Sequence, residues 1–192
     1  MTDTRKYEFT GETKEWFGRT LHRIRAVTEI AVLGIAVGQL GGWVESEANL
    51  SQNGNAWVYG DAWVYGNAWV YGNAQVSGDA RVYGDAWVYG NAWVYGNARV
   101  SGDAWVYGDA QVETVNIIAV RSDGYTFLVA PTPDGARVIA GCRYFTFPEA
   151  RVHWQKTRGG TPLGDETFDI LDLLEKQAVR RGFMEPVKAG AA

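Results

Sequence analysis

Residues 56–112 read AWVYGD-AWVYGN-AWVYGN-AQVSGD-ARVYGD-AWVYGN-AWVYGN-ARVSGD-AWVYGD-AQV. A valine returns at every sixth position, 58, 64, 70, 76, 82, 88, 94, 100, 106 and 112, and each unit has the form Ala-x-Val-(Tyr/Ser)-Gly-(Asp/Asn). An internal period is read first because it sets the whole architecture. Val44 and Leu50 carry the pattern backwards, with a two-residue insertion around Asn53-Gly54 before Val58.

In one unit, strand alternation puts Ala62 and Val64 on one face and Trp63 and Tyr65 on the other. Gly66-Asn67 then turns the chain, because Gly and Asn tolerate positive φ. A helix is excluded, since the apolar period is wrong and a glycine recurs every sixth residue. Short strands joined by regular corners give a parallel β-solenoid whose coils stack at about 4.8 Å. Valine and alanine fill a narrow interior, and the large aromatics are expected to point outwards.

This repeat resembles that of the hexapeptide-repeat proteins. The resemblance implies a left-handed parallel β-helix of triangular section, three hexapeptides to a coil, and association of three chains. The handedness and the homotrimer rest on the resemblance alone, since the ordinary crossover rule favours a right-handed connection. The entry segment Leu40-Gly41-Gly42-Trp43-Val44-Glu45-Ser46-Glu47, with Asn49-Leu50-Ser51, is similar to the start of a hexapeptide family found in phages and prophages. A viral origin is implied, but no activity, because a fold hosts many functions.

Phasing the repeat by 18 residues shows what each face carries. One face holds Trp57/Tyr59, Gln75/Ser77, Trp93/Tyr95 and Gln111/Glu113. The second holds Trp63/Tyr65, Arg81/Tyr83 and Arg99/Ser101, and the third Trp69/Tyr71, Trp87/Tyr89 and Trp105/Tyr107. Two aromatic ladders on one flat face form a larger apolar patch than a soluble monomer usually leaves bare. Stacked aromatics that pack against another chain or a terminal segment explain it. A platform for a nucleobase or sugar ring explains it too, at about 1–3 kcal/mol per stacked base. Arg81 and Arg99 could meet a phosphate or carboxylate, or lie solvated.

Composition agrees with a local rule. Six of nine Trp and seven of ten Tyr lie between Trp57 and Tyr107, while all seven Phe lie outside. The formal charge of −4 argues against general nucleic-acid binding. A single cysteine, Cys142, excludes an intrachain disulfide framework and a multi-cysteine metal site. The apolar run Ile30 to Leu40 is too short to span a membrane, and MTDTRKYEFT lacks a secretory apolar core. A cytoplasmic protein of an infected or lysogenic bacterial host, without membrane contact, is expected.

The flanks differ from the repeat, and four parts are expected: an N-terminal β cap and entry (1–42), the β-helix (43–112), a C-terminal α+β segment (113–186) and a frayed tail (187–192). KYEFTGET and RTLHRIRAV read as two short strands around a Gly/Glu-rich turn. VNIIAVRS, YTFLVAPT and ARVIAGCRYF read as three strands, with hairpin turns at Ser122-Asp123-Gly124 and Thr132-Pro133-Asp134-Gly135. Thr146-Phe147-Pro148-Glu149 is a capping box opening a helix through Lys156, stopped by Gly159-Gly160. A second helix is expected from about Asp165 to Arg181, burying Phe168, Leu171, Leu174 and Ala178.

Chemistry is sparse. Many hexapeptide proteins transfer acyl groups from coenzyme A with a histidine base, but here only His22 and His153 exist, and the repeat has no His, Lys or Cys. No catalytic residue, metal site or cofactor is assigned, because no triad, phosphate-binding glycine motif or metal-ligand spacing occurs. His153 lies in a basic stretch and reads either as a half-buried helix residue or as part of an anion-binding cluster between subunits. That cluster comprises Arg143, His153, Lys156 and Arg158, with Thr161 and the Gly159-Gly160 amides as further donors. Cys142 reads as a buried strand residue. The ligand-binding set is therefore Trp69, Trp87, Trp105, Tyr71, Tyr89, Tyr107, Arg81, Arg99 and the Arg143 cluster. The expected function is a non-enzymatic phage accessory protein that sequesters a small nucleotide signal of host defence. An interaction scaffold that docks a host or virion protein through the aromatic face is the alternative, and a coenzyme A-dependent acyltransferase the third.

Overall fold

The computed structural model describes residues 5–113 and 117–185. The chain divides into two compact units, Met1–Asn116 and Ile117–Ala192. The expected frayed tail, residues 187–192, and the start of the VNIIAVRS strand at Val115-Asn116 lie outside the described residues.

The first unit is a β-solenoid of about four turns. Each hexapeptide gives a two-residue strand, from Trp57–Val58 to Gln111–Val112, paired in parallel with the strand 18 residues on. The stacks hold Trp57, Gln75, Trp93 and Gln111 on the first face, Trp63, Arg81 and Arg99 on the second, and Trp69, Trp87 and Trp105 on the third. Both backbone groups of a rung are satisfied by neighbouring coils, as when Trp63 N donates to Ala80 O (2.9 Å) and Tyr65 N to Val82 O (3.0 Å). Every repeat Ala and Val is buried, so the interior is a narrow column of small apolar side chains. At several corners the glycine is required twice over. Gly90 has φ +72, and a Cβ there would lie 2.9 Å from Gly108 N of the next coil. The adjacent amides form a ladder along one edge, Asn55 to Asn73 (2.9 Å), Asn73 to Asn91 (3.1 Å) and Asn91 to Asp109 (3.1 Å).

Register locates the insertion. Trp43 pairs with Trp63 and Leu50 with Val70, both 20 residues apart, whereas Trp57 pairs with Gln75 at 18. The two extra residues therefore fall between Leu50 and Trp57, as the valine count implies. Buried Asn49 forms a capping box with Ser46 and donates to Gly66 O (2.9 Å) and Ala68 O (2.8 Å), which fixes the first corner.

A hairpin of β1 (Tyr7–Trp16) and β2 (Arg19–Ala26) precedes the coils, and β2 pairs antiparallel with β3 (Leu40–Val44), extending the second-face sheet. The turn falls between the two expected strands, in the stretch that holds Glu15 and Gly18. It is the two-residue turn Phe17-Gly18, with φ +46 and +75, the positive values that a two-residue hairpin turn demands. Gly11 lies within a register shift of β1, between Phe9 and Thr13. The hairpin also covers some of the aromatics, as the reading of a terminal segment packed on them allows. Trp43 and Trp57 are buried, Trp57 against Tyr7 (6.5 Å, edge-on) and Trp43 under Lys14 (4.1 Å) and Arg23 (5.1 Å).

The second unit is an antiparallel meander of Ile117–Val120, Thr126–Thr132, Gly135–Ala140 and Arg143–Phe145, followed by α1 (Phe147–Arg158) and α2 (Pro162–Arg180). The run ARVIAGCRYF is two strands rather than one, because Gly141, with φ +56, turns the chain. Cys142 is consequently exposed in that turn, not buried in a strand. The Thr146/Glu149 capping box forms, as expected. α2 starts three residues before Asp165, because Thr161 caps it through Gly164 N and Pro162 opens its first turn. Its buried face is Gly164, Thr167, Ile170, Leu171, Leu174 and Ala178, with Phe168 only partly buried at the margin.

Candidate functional site

The second face of the solenoid carries the densest convergence of aromatic and cationic groups within the first unit. Arg81 projects from its rung against two indoles, with its guanidinium carbon 4.1 Å from the Trp63 ring and 4.6 Å from the Trp16 ring. Trp16 reaches that position because it closes β1 beside the Phe17-Gly18 turn, where it packs edge-on against Trp63 (5.1 Å). The Tyr65 and Tyr83 rings stack at 5.1 Å and 3°, since 18 residues place them one rung apart. Burial raises the Tyr65 phenol pKa, so it stays a neutral hydroxyl.

Trp16, Tyr65, Arg81 and Tyr83 line a groove of about 350 Å³ together with Phe17, Arg19 and Arg99. A second hollow of about 440 Å³ shares Arg19, Tyr65 and Tyr83 and runs past the Gly66-Asn67 and Gly84-Asp85 corners. The three arginines differ in engagement. Arg19 is held by both Glu45 oxygens at 2.9 Å, which cancels its charge. Arg99 Nη1 donates to the carbonyls of Asp79, Asn97 and Ala98 at 3.1, 3.1 and 3.3 Å. Arg81 makes its ring contacts without a hydrogen bond to any described residue. The two rings hold its guanidinium by cation–π contact while its N–H groups stay available to an anion.

The third face carries the ladders expected from the sequence. Trp87 and Trp105 stack at 5.1 Å and 3°, Tyr71 and Tyr89 at 4.8 Å, and Tyr89 and Tyr107 at 4.9 Å. Trp69 breaks the order: it lies edge-on to Trp87 and folds over its own Tyr71 at 4.1 Å. Trp69 is 37% exposed.

In the second unit Arg143, His153 and Arg158 line one pocket of about 230 Å³ with Arg121, Tyr125, Trp154 and Thr157. Arg143 Nε donates to His153 Nε2 (2.9 Å) and Nη1 to the Tyr125 hydroxyl (3.4 Å). Burial and the positive charges of Arg143 and Lys156 hold the His153 pKa below its ordinary value, so the imidazole is neutral and its Nε2 lone pair is occupied. Lys156 lines a different hollow, with Arg151, Val152, Gln155 and Phe168. Thr161 is committed to capping, donating to Arg158 O and accepting from Gly164 N, and Gly159 N donates to Gln155 O. His22, the other histidine, stacks on Phe9 at 4.7 Å.

The sequence-based site thus separates into three places. Arg81 and Arg99 belong to the second-face groove, the Trp/Tyr ladders to the third face, and the cluster to the second unit, where three of its four residues share one pocket and Lys156 lines another hollow. Trp16, Phe17, Arg19, Tyr65 and Tyr83 escaped sequence reasoning. The 18-residue phase already placed Tyr65 and Tyr83 beside Arg81, whereas nothing periodic tied the hairpin turn to that face. Among the described residues no group of three His, Cys, Asp or Glu side chains could hold a metal ion, and no helix is long and apolar enough to cross a membrane.

No curated protein matches the chain at a significant level. A family match is confined to the coils: residues 56–72, 64–78, 74–90 and 92–108 match the YdcK beta solenoid repeat, to which the solenoid is therefore similar.

Proposed function

We propose that the protein is a non-catalytic binding protein that holds a small nucleotide-type ligand in the second-face groove. The observation that carries this reading is Arg81, packed against both Trp16 and Trp63 and without a hydrogen-bond partner among the described residues, at the edge of a groove walled by Tyr65, Tyr83 and Phe17. Aromatic walls take a base by stacking at about 1–3 kcal/mol per base, and a guanidinium takes phosphate oxygens bidentately. The adjoining hollow gives space beyond one nucleoside unit. The occupied Nε2 of His153 and the stacked ring of His22 support a role without general-base chemistry. A phage accessory protein that sequesters a nucleotide signal of host defence fits such a site, as does a homotrimer joined through the aromatic third face.

Native mass spectrometry of the purified protein, repeated after denaturation, is expected to release a bound nucleotide. An empty protein that also shows no thermal shift with cyclic and ADP-ribose-type nucleotides would refute the reading. Light scattering tests the trimer, which a monomer mass at micromolar concentration would reject. One observation favours a second reading, a scaffold for a host or virion protein: the exposed Trp69 at the end of the ladders. Capture of one protein, lost in Trp87→Ala but kept in Arg81→Met, would support that reading over the first.

A further inference from the structure

The pocket of the second unit carries positive charge that its own acids do not balance. Four cationic or basic groups line it: Arg121, Arg143, His153 and Arg158. Arg121 is structural. Its side chain is 1% exposed, it donates from Nε and Nη2 to Asp123 at 2.9 and 2.8 Å, and from Nη1 to Thr167 at 2.8 Å. The arginine holds the Asp123 carboxyl well below the usual carboxylate range, at about 2, so the two charges cancel. Among the described residues Arg143 has only neutral partners, the His153 imidazole and the Tyr125 hydroxyl, which engage its Nε and Nη1 and leave Nη2 without one. Arg158 closes α1 with no side-chain hydrogen bond or ion pair to a described residue. Two positive charges therefore face the pocket without a carboxylate, and the C-terminal carbonyls of α1 offset only about half a charge.

Volume narrows the ligand. About 230 Å³ lies below the roughly 300 Å³ at which sites for drug-sized ligands begin, so the pocket suits a small ion or the end of a larger molecule. Two uncompensated guanidinium groups match the charge of about −1.5 to −2 on a phosphate monoester near neutral pH. A carboxylate would leave one of them unbalanced. Trp154, buried at 3% exposure, lowers the local polarity that would otherwise weaken the attraction.

We infer that this pocket is a binding site for a terminal phosphate, free or as a small monoester, held by Arg143 and Arg158. It is separate from the groove of the first unit and does not depend on that groove being a nucleotide site. Calorimetric titration of the full chain with inorganic phosphate, glucose 6-phosphate and acetate, at matched ionic strength, tests it. One phosphate per chain is expected, with acetate much weaker. Arg158→Gln, an exposed position whose replacement does not threaten folding, is expected to weaken phosphate by about tenfold or more, while Arg81→Met leaves it unchanged. A preference for the monoester over free phosphate would mark the monoester as the natural source, and the reverse the free ion. Absence of saturable phosphate binding at millimolar concentration, equal binding of acetate, or unchanged affinity in both Arg158→Gln and Arg143→Gln would overturn the assignment.

Discussion

Replacing Gly78 by alanine tests how the coils keep their spacing. Gly78 has φ +68, and a Cβ there would lie 2.9 Å from Gly96 O and 3.0 Å from Gly96 N. The same carbonyl accepts Asp79 N at 2.8 Å, so the corner is tied to the next coil at the point where the methyl must fit. Gly60 is the internal control: its φ is +53, yet a Cβ there meets nothing within 4 Å among the described residues. Gly60→Ala therefore carries only left-handed backbone strain, about 1–2 kcal/mol. Gly78→Ala carries that strain and must also open the corner by roughly half an ångström to reach ordinary contact. Opening weakens one backbone hydrogen bond, about 1 kcal/mol, and forfeits a similar sum of dispersion contacts. Destabilisation of roughly 3–4 kcal/mol is expected for Gly78→Ala against roughly 1–2 for Gly60→Ala. Urea unfolding followed by near-ultraviolet circular dichroism, which reports the coil tryptophans, measures both. Equal midpoints would refute the claim that backbone contact at the corners sets the spacing.

Other expectations concern titration and reactivity. Burial lowers the Lys6 pKa from 10.5 to about 8, although its ammonium donates to Ala56 O at 2.7 Å. Between those two values the unfolded chain holds the extra proton, so stability rises with pH across that window, and Lys6→Met removes the rise. The comparison is best kept below about pH 10, because burial and the Glu47 charge raise the Tyr7 pKa, which acts in the opposite direction above that point. Asp123, lowered to about 2 mainly by its hydrogen bond from Arg121, contributes stability above its ordinary value that is lost as pH falls through about 2. Acid unfolding of Asp123→Asn is expected to lack that component. Cys142 lies exposed in a turn and is expected to react fully with a thiol reagent in the native protein. Labelling that appears only after unfolding would contradict the Gly141-Cys142 turn.

What could be read from the sequence was what repetition encodes. Once Val58 to Val112 fix an 18-residue phase, each side chain's neighbour above and below follows, so the inward Ala/Val column, the Trp87–Trp105 stack and the Tyr65–Tyr83 stack were all visible in advance. Contacts outside that phase were not. Trp16 reaches Arg81 only because the hairpin turns at Phe17-Gly18, and a phenylalanine at positive φ is a poor advertisement for a turn. The burial of Trp43 and Trp57 has the same origin, since it depends on where β1 and β2 lie. In the second unit, local signals were followed where they were strong, as in the Thr146/Glu149 box, and misled where they were weak. Gly164 hid the true start of α2, and Gly141-Cys142 was too short a break to be seen within an apolar run. Lys156 shares the basic stretch with His153, yet it lines the hollow of Val152 and Gln155 instead, because sequence proximity does not fix a helix face.

The proposed function rests on Arg81, packed against Trp16 and Trp63, as the anchor of an anionic aromatic ligand. Calorimetric titration of wild type and Arg81→Met with a cyclic dinucleotide tests it most directly, since methionine keeps the stem volume and removes the charge. Loss of charge-assisted hydrogen bonds of about 1.5–3 kcal/mol corresponds to roughly tenfold to a hundredfold weaker binding. One ligand per groove in the wild type, weakened by that factor in Arg81→Met with unchanged thermal stability, is the predicted result. Equal affinity in the two proteins would contradict it.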